Sequence, residues 1–234
     1  NTTPTNWSGG SRVLVDGALP ARTALQAAVI LAAVAFTGNL IVSFVLGSGV
    51  GVFLLLGSAQ VAAWFYSAPP LRLHSRGLGE LTTMLVVTLL TPITGYILQM
   101  GHIDLLPILA CLPLCCAQLA MLLAIEFPDA AGDRAVGKRT LVIRLGTRGA
   151  IRLYVIALCA IFAALPFLIG GGLPLWVGLA VAATFPLAFV LLVRVKRGDW
   201  NNPQRWNGFA FQTIVMLMAL SAAEFAAFFL LLGV

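Results

Sequence analysis

Charged side chains are scarce in this chain of 234 residues. Only 9% of the residues are Asp, Glu, Lys or Arg, whereas 60% are hydrophobic and the mean hydropathy is +1.00. Soluble domains carry roughly a quarter charged residues. The scarcity of charge therefore excludes an ordinary soluble domain. It indicates an integral membrane protein whose solvent is the lipid bilayer.

Cysteine is also rare, and its positions do not suggest a cross-linked or metal-stabilised fold. The four cysteines are Cys111, Cys115, Cys116 and Cys159, and all of them fall within apolar runs. Small packing residues inside helices are the simplest interpretation. Their spacing matches neither a disulfide framework nor a zinc site.

Long apolar runs, by contrast, fill most of the sequence. A membrane-spanning helix needs about 20 mostly apolar residues. Seven runs meet this requirement, at about 23–46, 49–66, 80–100, 104–125, 151–169, 173–193 and 208–232. Backbone groups cannot remain unpaired in lipid, and these runs do not alternate in polarity as barrel strands do. We therefore expect an all-α, polytopic membrane helical bundle that forms one domain over residues 1–234.

The basic residues all fall on one side of the predicted bundle. Its connecting segments are residues 1–22, 67–79, 126–150 and 194–207 on one face, and short turns near 47–48, 101–103 and 170–172 on the other. All fourteen Lys and Arg residues lie on or beside the first face. The positive-inside rule predicts that this face is cytoplasmic, in an integral protein of the cell (inner) membrane. Topology thus explains the net charge of +6, and we expect no nucleic-acid partner.

The few acidic residues are unevenly distributed. Three of the eight, Glu126, Asp129 and Asp133, fall within one stretch of eight residues. Asp129 and Asp133 are four positions apart, so on a helical turn they share one face. Carboxylates held so close repel each other unless a cation lies between them, and Mg²⁺ prefers carboxylates together with substrate phosphates. The spacing therefore suggests Asp129 and Asp133 as ligands of Mg²⁺.

Basic residues follow the two aspartates directly. They are Arg134, Lys138, Arg139 and Arg144. Arginine and lysine are the usual partners of phosphate oxygens. Acids for a metal beside bases for an anion indicate a metal–diphosphate site at the cytoplasmic face. From charge alone, a basic loop that only sets topology and contacts lipid headgroups is the alternative.

A second polar loop, "YSAPPLRLHSRGLGE", runs from Tyr66 to Glu80 on the same face. Tyr66 and Ser67 supply hydroxyl groups, whereas Arg72 and Arg76 supply cationic donors. We expect these four side chains to contribute to substrate binding, because both polar loops are predicted to lie on the same side of the membrane.

Three segments together resemble the UbiA superfamily of intramembrane prenyltransferases. They are "GGSRVLVDG", "YSAPPLRLHSRGLGE" and "EFPDAAGDRAVGKRTLVIRLG". In the third, the order D-x-x-x-D-R, then G-K-R-T-L, then R-L-G is similar to the superfamily's second aspartate-rich motif. "GGSRVLVDG" with "RGLGEL" most resembles the 1,4-dihydroxy-2-naphthoate prenyltransferase branch, which makes demethylmenaquinone. The tyrosine–serine–proline loop also resembles (bacterio)chlorophyll synthases, and that alternative stays open.

The resemblance implies transfer of a polyprenyl group from an isoprenoid diphosphate to an aromatic acceptor, with Mg²⁺ as cofactor. It implies metal binding by Asp129 and Asp133. The residues implied to steady the diphosphate are Arg12, Arg72, Arg134 and Lys138.

The resemblance also implies nine helices and a first aspartate-rich motif, N-x-x-x-D, after the second helix. This sequence contains seven predicted spans and no such motif. We therefore expect the chain to be N-terminally incomplete and to lack two helices and half of the metal site. The alternative is a non-catalytic helical subunit of a membrane complex.

Overall fold

Seven long helices dominate the computed structural model, which describes residues 13, 14 and 16–233. All seven are long and apolar enough to cross a membrane. In chain order, the first to seventh spans are Ala21–Val45, Gly49–Ser67, Gly79–Met100, Leu105–Glu126, Leu141–Ala163, Leu175–Lys196 and Trp206–Leu231. The described part of the chain contains no strand. The prediction of an all-α, polytopic membrane bundle is confirmed.

Short helical elements connect some of these spans. Ala130–Ala135 is a helix between the fourth and fifth spans, and Leu165–Gly170 is a helix after the fifth. Leu73–Ser75 and Asp199–Asn201 form single 3₁₀ turns. Because successive spans alternate in direction, the short helix Ala130–Ala135 and both 3₁₀ turns lie on the face that carries the bases.

The fifth span begins ten residues before its predicted start. The sequence placed it at 151–169 with a loop over 126–150, whereas the helix covers Leu141–Ala163. That prediction was wrong because hydropathy marks only the apolar part of a helix. A helix that leaves the bilayer tolerates charged residues such as Arg144 and Arg148. Gly146, with φ +68° and ψ 160°, kinks the helix and separates its first turn from the rest.

The buried core lies among the fourth to seventh spans, and the fourth span packs extensively on the fifth and the seventh. Tyr154, Phe209 and Leu220 are fully buried there. The Tyr154 hydroxyl is 3.0 Å from the Thr213 hydroxyl, which avoids the cost of an unpaired polar group in an apolar interior. This packing fixes the facing ends of the fourth and fifth spans, between which the aspartates lie.

The first and second spans are joined by polar contacts. Gln60 Nε2 donates to the carbonyl of Ala35 at 2.8 Å, and Asn39 Nδ2 donates to the carbonyl of Phe53 at 3.2 Å. Hydrogen bonds between membrane helices contribute modestly, about 0.6 kcal/mol each. Most other side chains of these two spans are exposed and apolar, as a lipid-facing surface requires.

Candidate active site on the base-rich face

The two aspartates lie at the start of the short helix Ala130–Ala135. Asp129 precedes its first residue, and the Asp133 N–H donates to the Asp129 carbonyl at 2.9 Å. The two residues therefore share one helical turn. Both are buried, with 9% and 7% of their surface exposed. The two aspartates are thus packed against the core at the end of the fourth span, which limits their movement.

Lys138 joins the acids to the bases that follow them. Its Nζ lies 2.7 Å from Asp133 Oδ1, and its N–H donates to the Asp133 carbonyl at 3.0 Å. The Lys138 side chain is 34% exposed, so the pair adds little to stability. The ion pair instead sets the position of the lysine, which it directs along the surface next to the second polar loop.

The loop after the second span is tightly folded. The Pro69–Pro70 peptide bond is cis, and Arg72 adopts a left-handed backbone conformation with φ +45°. Such a conformation costs a non-glycine residue about 1 kcal/mol. The Ser75 hydroxyl donates to the Arg72 carbonyl at 2.9 Å, and Arg76 Nη2 donates to the Pro70 carbonyl at 2.8 Å. These bonds hold Arg72 in its unusual conformation.

Tyr66 and His74 brace this loop against the end of the second span. Their ring centroids are 5.7 Å apart, and His74 Nδ1 lies 2.7 Å from the Tyr66 carbonyl oxygen. A carbonyl only accepts hydrogen bonds, so this contact requires a proton on Nδ1. The Tyr66 ring is thereby kept beside the loop that carries Arg72.

The two polar loops pack directly on each other. The Arg139 N–H donates to the Ser75 carbonyl at 2.8 Å. Gly77, with φ +69°, lies at this contact, where an added Cβ would be 2.7 Å from Arg144 Cδ and 3.0 Å from the Arg139 carbonyl oxygen. Only glycine permits both the backbone conformation and the close approach. The segment "RGLGE" is thus explained in part by a contact between loops.

Two neighbouring polar clefts open where the loops meet. The first has a volume of about 350 Å³ and is lined by Ser67, Arg72, His74, Ser75, Val136, Gly137 and Lys138. The second, of about 490 Å³, is lined by Arg72, Ser75, Arg76, Gly137, Arg139 and Arg144. Five cationic side chains around adjoining concave surfaces produce a positive potential. Such a surface suits an anion with several oxygens, as in a diphosphate.

The clefts contain part of the site that the sequence predicts. The predicted binding residues that line them are Ser67, Arg72, Arg76 and Lys138. Asp133 is connected to them through Lys138, and Tyr66 through His74. Arg134 is exposed but lines neither cleft, and Arg12 lies outside the described residues. Arg139 and Arg144, two of the bases that the sequence associates with phosphate oxygens, also line the second cleft.

The aspartates fit a partial magnesium site rather than a complete cage of protein ligands. Among residues 13, 14 and 16–233, no three His, Cys, Asp or Glu side chains are arranged to hold a metal ion. Mg²⁺ usually takes one or two carboxylates, and substrate phosphates and water complete its octahedron. Asp129 and Asp133, one turn apart and close to the basic clefts, match that donor set.

Sequence reasoning did not include Glu80 and Glu126 in the site. Their carboxyl groups lie side by side, and Glu126 also interacts electrostatically with Asp129 and Asp133. Oε2 of each glutamate is buried and has no hydrogen-bond partner within the described part of the chain. Glu126 was visible as a third acid in the same short stretch, whereas Glu80 is 46 positions away. Only the packing of the third span against the fourth brings them together.

Comparison with known families identifies the chain. The profile of the UbiA prenyltransferase family matches residues 10–220, which include both polar loops and most of the seven spans. Comparisons with curated proteins and with solved structures return no match. Since the matched region covers far more than half of the sequence, the chain belongs to the UbiA prenyltransferase family.

Proposed function

We propose that this protein transfers a polyprenyl group from an isoprenoid diphosphate to 1,4-dihydroxy-2-naphthoate within the membrane. Family membership implies an intramembrane prenyltransferase. The observation that carries the donor assignment is the pair of basic clefts beside Asp129 and Asp133. The acceptor assignment is supported by the likeness of "GGSRVLVDG" and "RGLGEL" to the naphthoate branch.

Binding of the diphosphate is assigned to the bases of the two loops. Arg72 lines both clefts and so reaches oxygens in either one, while Lys138 and Arg139 approach from the opposite loop. Guanidinium groups bind phosphate oxygens through paired hydrogen bonds, and lysine acts as a point charge. The donor's apolar chain remains in the bilayer, beside the spans to which these loops are attached.

The same bases stabilise the leaving group. The allylic carbon–oxygen bond breaks with its electron pair going to the diphosphate, so negative charge grows where the cationic side chains converge. Fixed charges aimed at a developing charge are the most effective form of catalytic stabilisation. Mg²⁺ held by Asp129 and Asp133 would neutralise further charge on the departing diphosphate. Asp133 also keeps Lys138 in place through their ion pair.

The acceptor completes the reaction without an added oxidant or reductant. A ring carbon of the dihydroxynaphthoate donates an electron pair to the allylic carbon, and a carbon–carbon bond forms. The carboxylate on that ring carbon leaves as carbon dioxide, and its electron pair restores the aromatic ring. The products are the prenylated naphthalenediol, diphosphate and carbon dioxide.

A comparison of three possible acceptors tests this proposal. Full-length protein in nanodiscs receives Mg²⁺, an allylic prenyl diphosphate and, in turn, dihydroxynaphthoate, chlorophyllide or hydroxybenzoate. We expect the prenylated naphthalenediol, the reduced form of demethylmenaquinone, from dihydroxynaphthoate. Transfer to chlorophyllide alone would instead favour the chlorophyll-synthase-like assignment, which the tyrosine–serine–proline loop supports. Folded protein that uses no acceptor would favour a non-catalytic subunit.

We further propose that the base-rich face is cytoplasmic, because the positive-inside rule assigns it there. Single cysteines introduced near residue 140 and near residue 102 into a cysteine-free background test the orientation. An impermeant thiol reagent added to intact cells should label the second position and spare the first. The reverse labelling would contradict the proposed topology.

A further inference from the structure

Glu80 connects two parts of the site that are distant in sequence. It is the second residue of the third span and is only 2% exposed. Its Oε1 accepts a hydrogen bond from the N–H of Leu141, the first residue of the fifth span. Glu80 therefore satisfies one of the free N–H groups at the start of that helix from another part of the chain.

The fifth span has no local side-chain cap. Thr140 precedes its first residue and is a residue type that commonly caps helices, yet its side chain makes no capping hydrogen bond. A carboxylate is a suitable replacement, because it is attracted by the positive end of the helix dipole. Glu80 thus caps the start of the fifth span in place of Thr140.

This cap lies next to the bases of the clefts. Lys138, Arg139 and Thr140 form the short connection that leads into the capped turn. One end of the connection is held by the pairing of Lys138 with Asp133. Its middle is held by the hydrogen bond from the Arg139 N–H to the Ser75 carbonyl. Glu80 supplies the attachment at its other end.

The approach of Glu80 requires the glycine that precedes it. A Cβ at Gly79 would lie 2.7 Å from Cα of His74 and 3.3 Å from its N, so no other residue fits without moving the loop backbone. His74 itself lines the first cleft. The glycine and the glutamate of "GLGE" therefore set the position of both polar loops.

We propose that Glu80 is a positioning residue of the diphosphate site, acting through the N–H of Leu141 to hold Lys138 and Arg139 opposite Arg72. This inference rests on the proposed function, and it assigns Glu80 no contact with the diphosphate or with the metal. Its role is to accept a hydrogen bond. A side chain that accepts the same bond without a negative charge should therefore replace it.

Two substitutions of Glu80 test this role. Glu80→Ala removes the acceptor and should raise the KM for prenyl diphosphate about tenfold or more, while kcat and the KM for the acceptor change less than about threefold. Glu80→Gln retains an acceptor oxygen and should keep the KM for prenyl diphosphate within about threefold of the original value. Equal losses in both variants would overturn the proposal, because they would show that the charge itself is required.

Leu141→Pro removes the donor instead of the acceptor. Proline is well tolerated at the first position of a helix, and Thr140 already has the extended backbone, φ −57° and ψ 167°, that a following proline demands. Leu141→Ala is the matched control, since it shortens the side chain and keeps the N–H. We expect the KM for prenyl diphosphate to rise in the proline variant alone. Similar values in the two variants would contradict the proposal.

A binding measurement separates this inference from the proposed reaction. Inorganic diphosphate should protect Lys138 from acylation, followed by mass spectrometry, at lower concentrations in the unsubstituted protein than in Glu80→Ala or Leu141→Pro. Equal protection in all three proteins would overturn the role of Glu80. Protection that differs as expected, in a protein that prenylates no acceptor, would uphold that role and refute the proposed reaction.

Discussion

Two clusters of acids and bases lie on the base-rich face, and they use charge differently. In the first, Asp199 receives hydrogen bonds from Arg194 Nε at 2.6 Å and from Arg205 Nη1 at 3.1 Å. Arg194 also donates to the Gly208 carbonyl and to Gln212 Oε1. We call residues 194–212 the clamp, because these bonds tie the end of the sixth span to the start of the seventh.

The clefts form the second cluster, and their charges are mostly unpaired. Of the five Lys and Arg residues that line them, only Lys138 forms an ion pair within the described part of the chain. In the clamp, the bonds of Arg194 and Arg205 to Asp199 use opposite charges to stabilise the fold. The clefts retain an excess of positive charge that a bound anion can neutralise. The comparison distinguishes bases that are used within the fold from the converging bases that are proposed to bind a diphosphate.

The strongest test of this comparison is the removal of an aspartate beside the clefts. Asp129→Ala or Asp133→Ala should lower kcat on the order of 100-fold or more, because each change removes a carboxylate proposed to hold Mg²⁺. Asp→Asn changes should be nearly as harmful, since they keep the shape and lose the charge. Prenyl transfer by folded full-length variants over a magnesium titration provides the measurement. Near-normal rates with an unchanged magnesium dependence would refute the metal-site assignment.

A smaller effect is expected when one base is removed from the clefts. Lys138→Ala should raise the KM for prenyl diphosphate about tenfold, because a charge-assisted hydrogen bond contributes about 1.5–3 kcal/mol. Arg148→Ala is the matched control, as Arg148 is an exposed base of the same helical region that lines neither cleft. Steady-state kinetics at saturating acceptor distinguish the two. A KM that is unchanged in Lys138→Ala would remove this lysine from the binding site.

The clamp should affect stability and leave catalysis intact. Asp199→Ala leaves Arg194 largely buried without its carboxylate, and the expected cost is about 2 kcal/mol, between the values for exposed and deeply buried pairs. The apparent melting temperature in detergent should fall, while the KM for prenyl diphosphate stays the same. A loss of activity per folded molecule would show that the clamp also contributes to the site.

The pH dependence of the clamp gives the smallest effect. Burial raises the pKa of Asp199, but the hydrogen bonds and charges of Arg194 and Arg205 outweigh it and hold the pKa below its ordinary 3.8. A carboxyl group with a lowered pKa contributes stability above its unfolded pKa and loses it as the pH falls through the folded value. The melting-temperature difference between the unsubstituted protein and Asp199→Asn should therefore be constant from pH 7 to 5. It should shrink only below about pH 4.

Prediction from the sequence succeeded where a local pattern has a direct physical cause. Apolar runs of sufficient length indicated the seven spans, and the four-residue spacing placed Asp129 and Asp133 on one turn. It failed at the start of the fifth span, where a charged helical turn continues beyond the apolar run. Arg144, one of the bases that the sequence associated with a phosphate group, lies in that turn and lines the second cleft.

The sequence by itself determined the solvent of this protein, the number of its spans and the face that carries its charge, because hydropathy and charge act residue by residue. Tertiary structure decided which polar groups meet between distant parts of the chain. The close contact of Gly77 with Arg139, the capping of Leu141 by Glu80 and the hydrogen bond from Arg194 to Gln212 all depend on how helix ends pack. A hydrogen bond forms only within a few ångströms. The division between clamp and clefts therefore arises from the three-dimensional packing of residues that the sequence shows only as charged loops on one face.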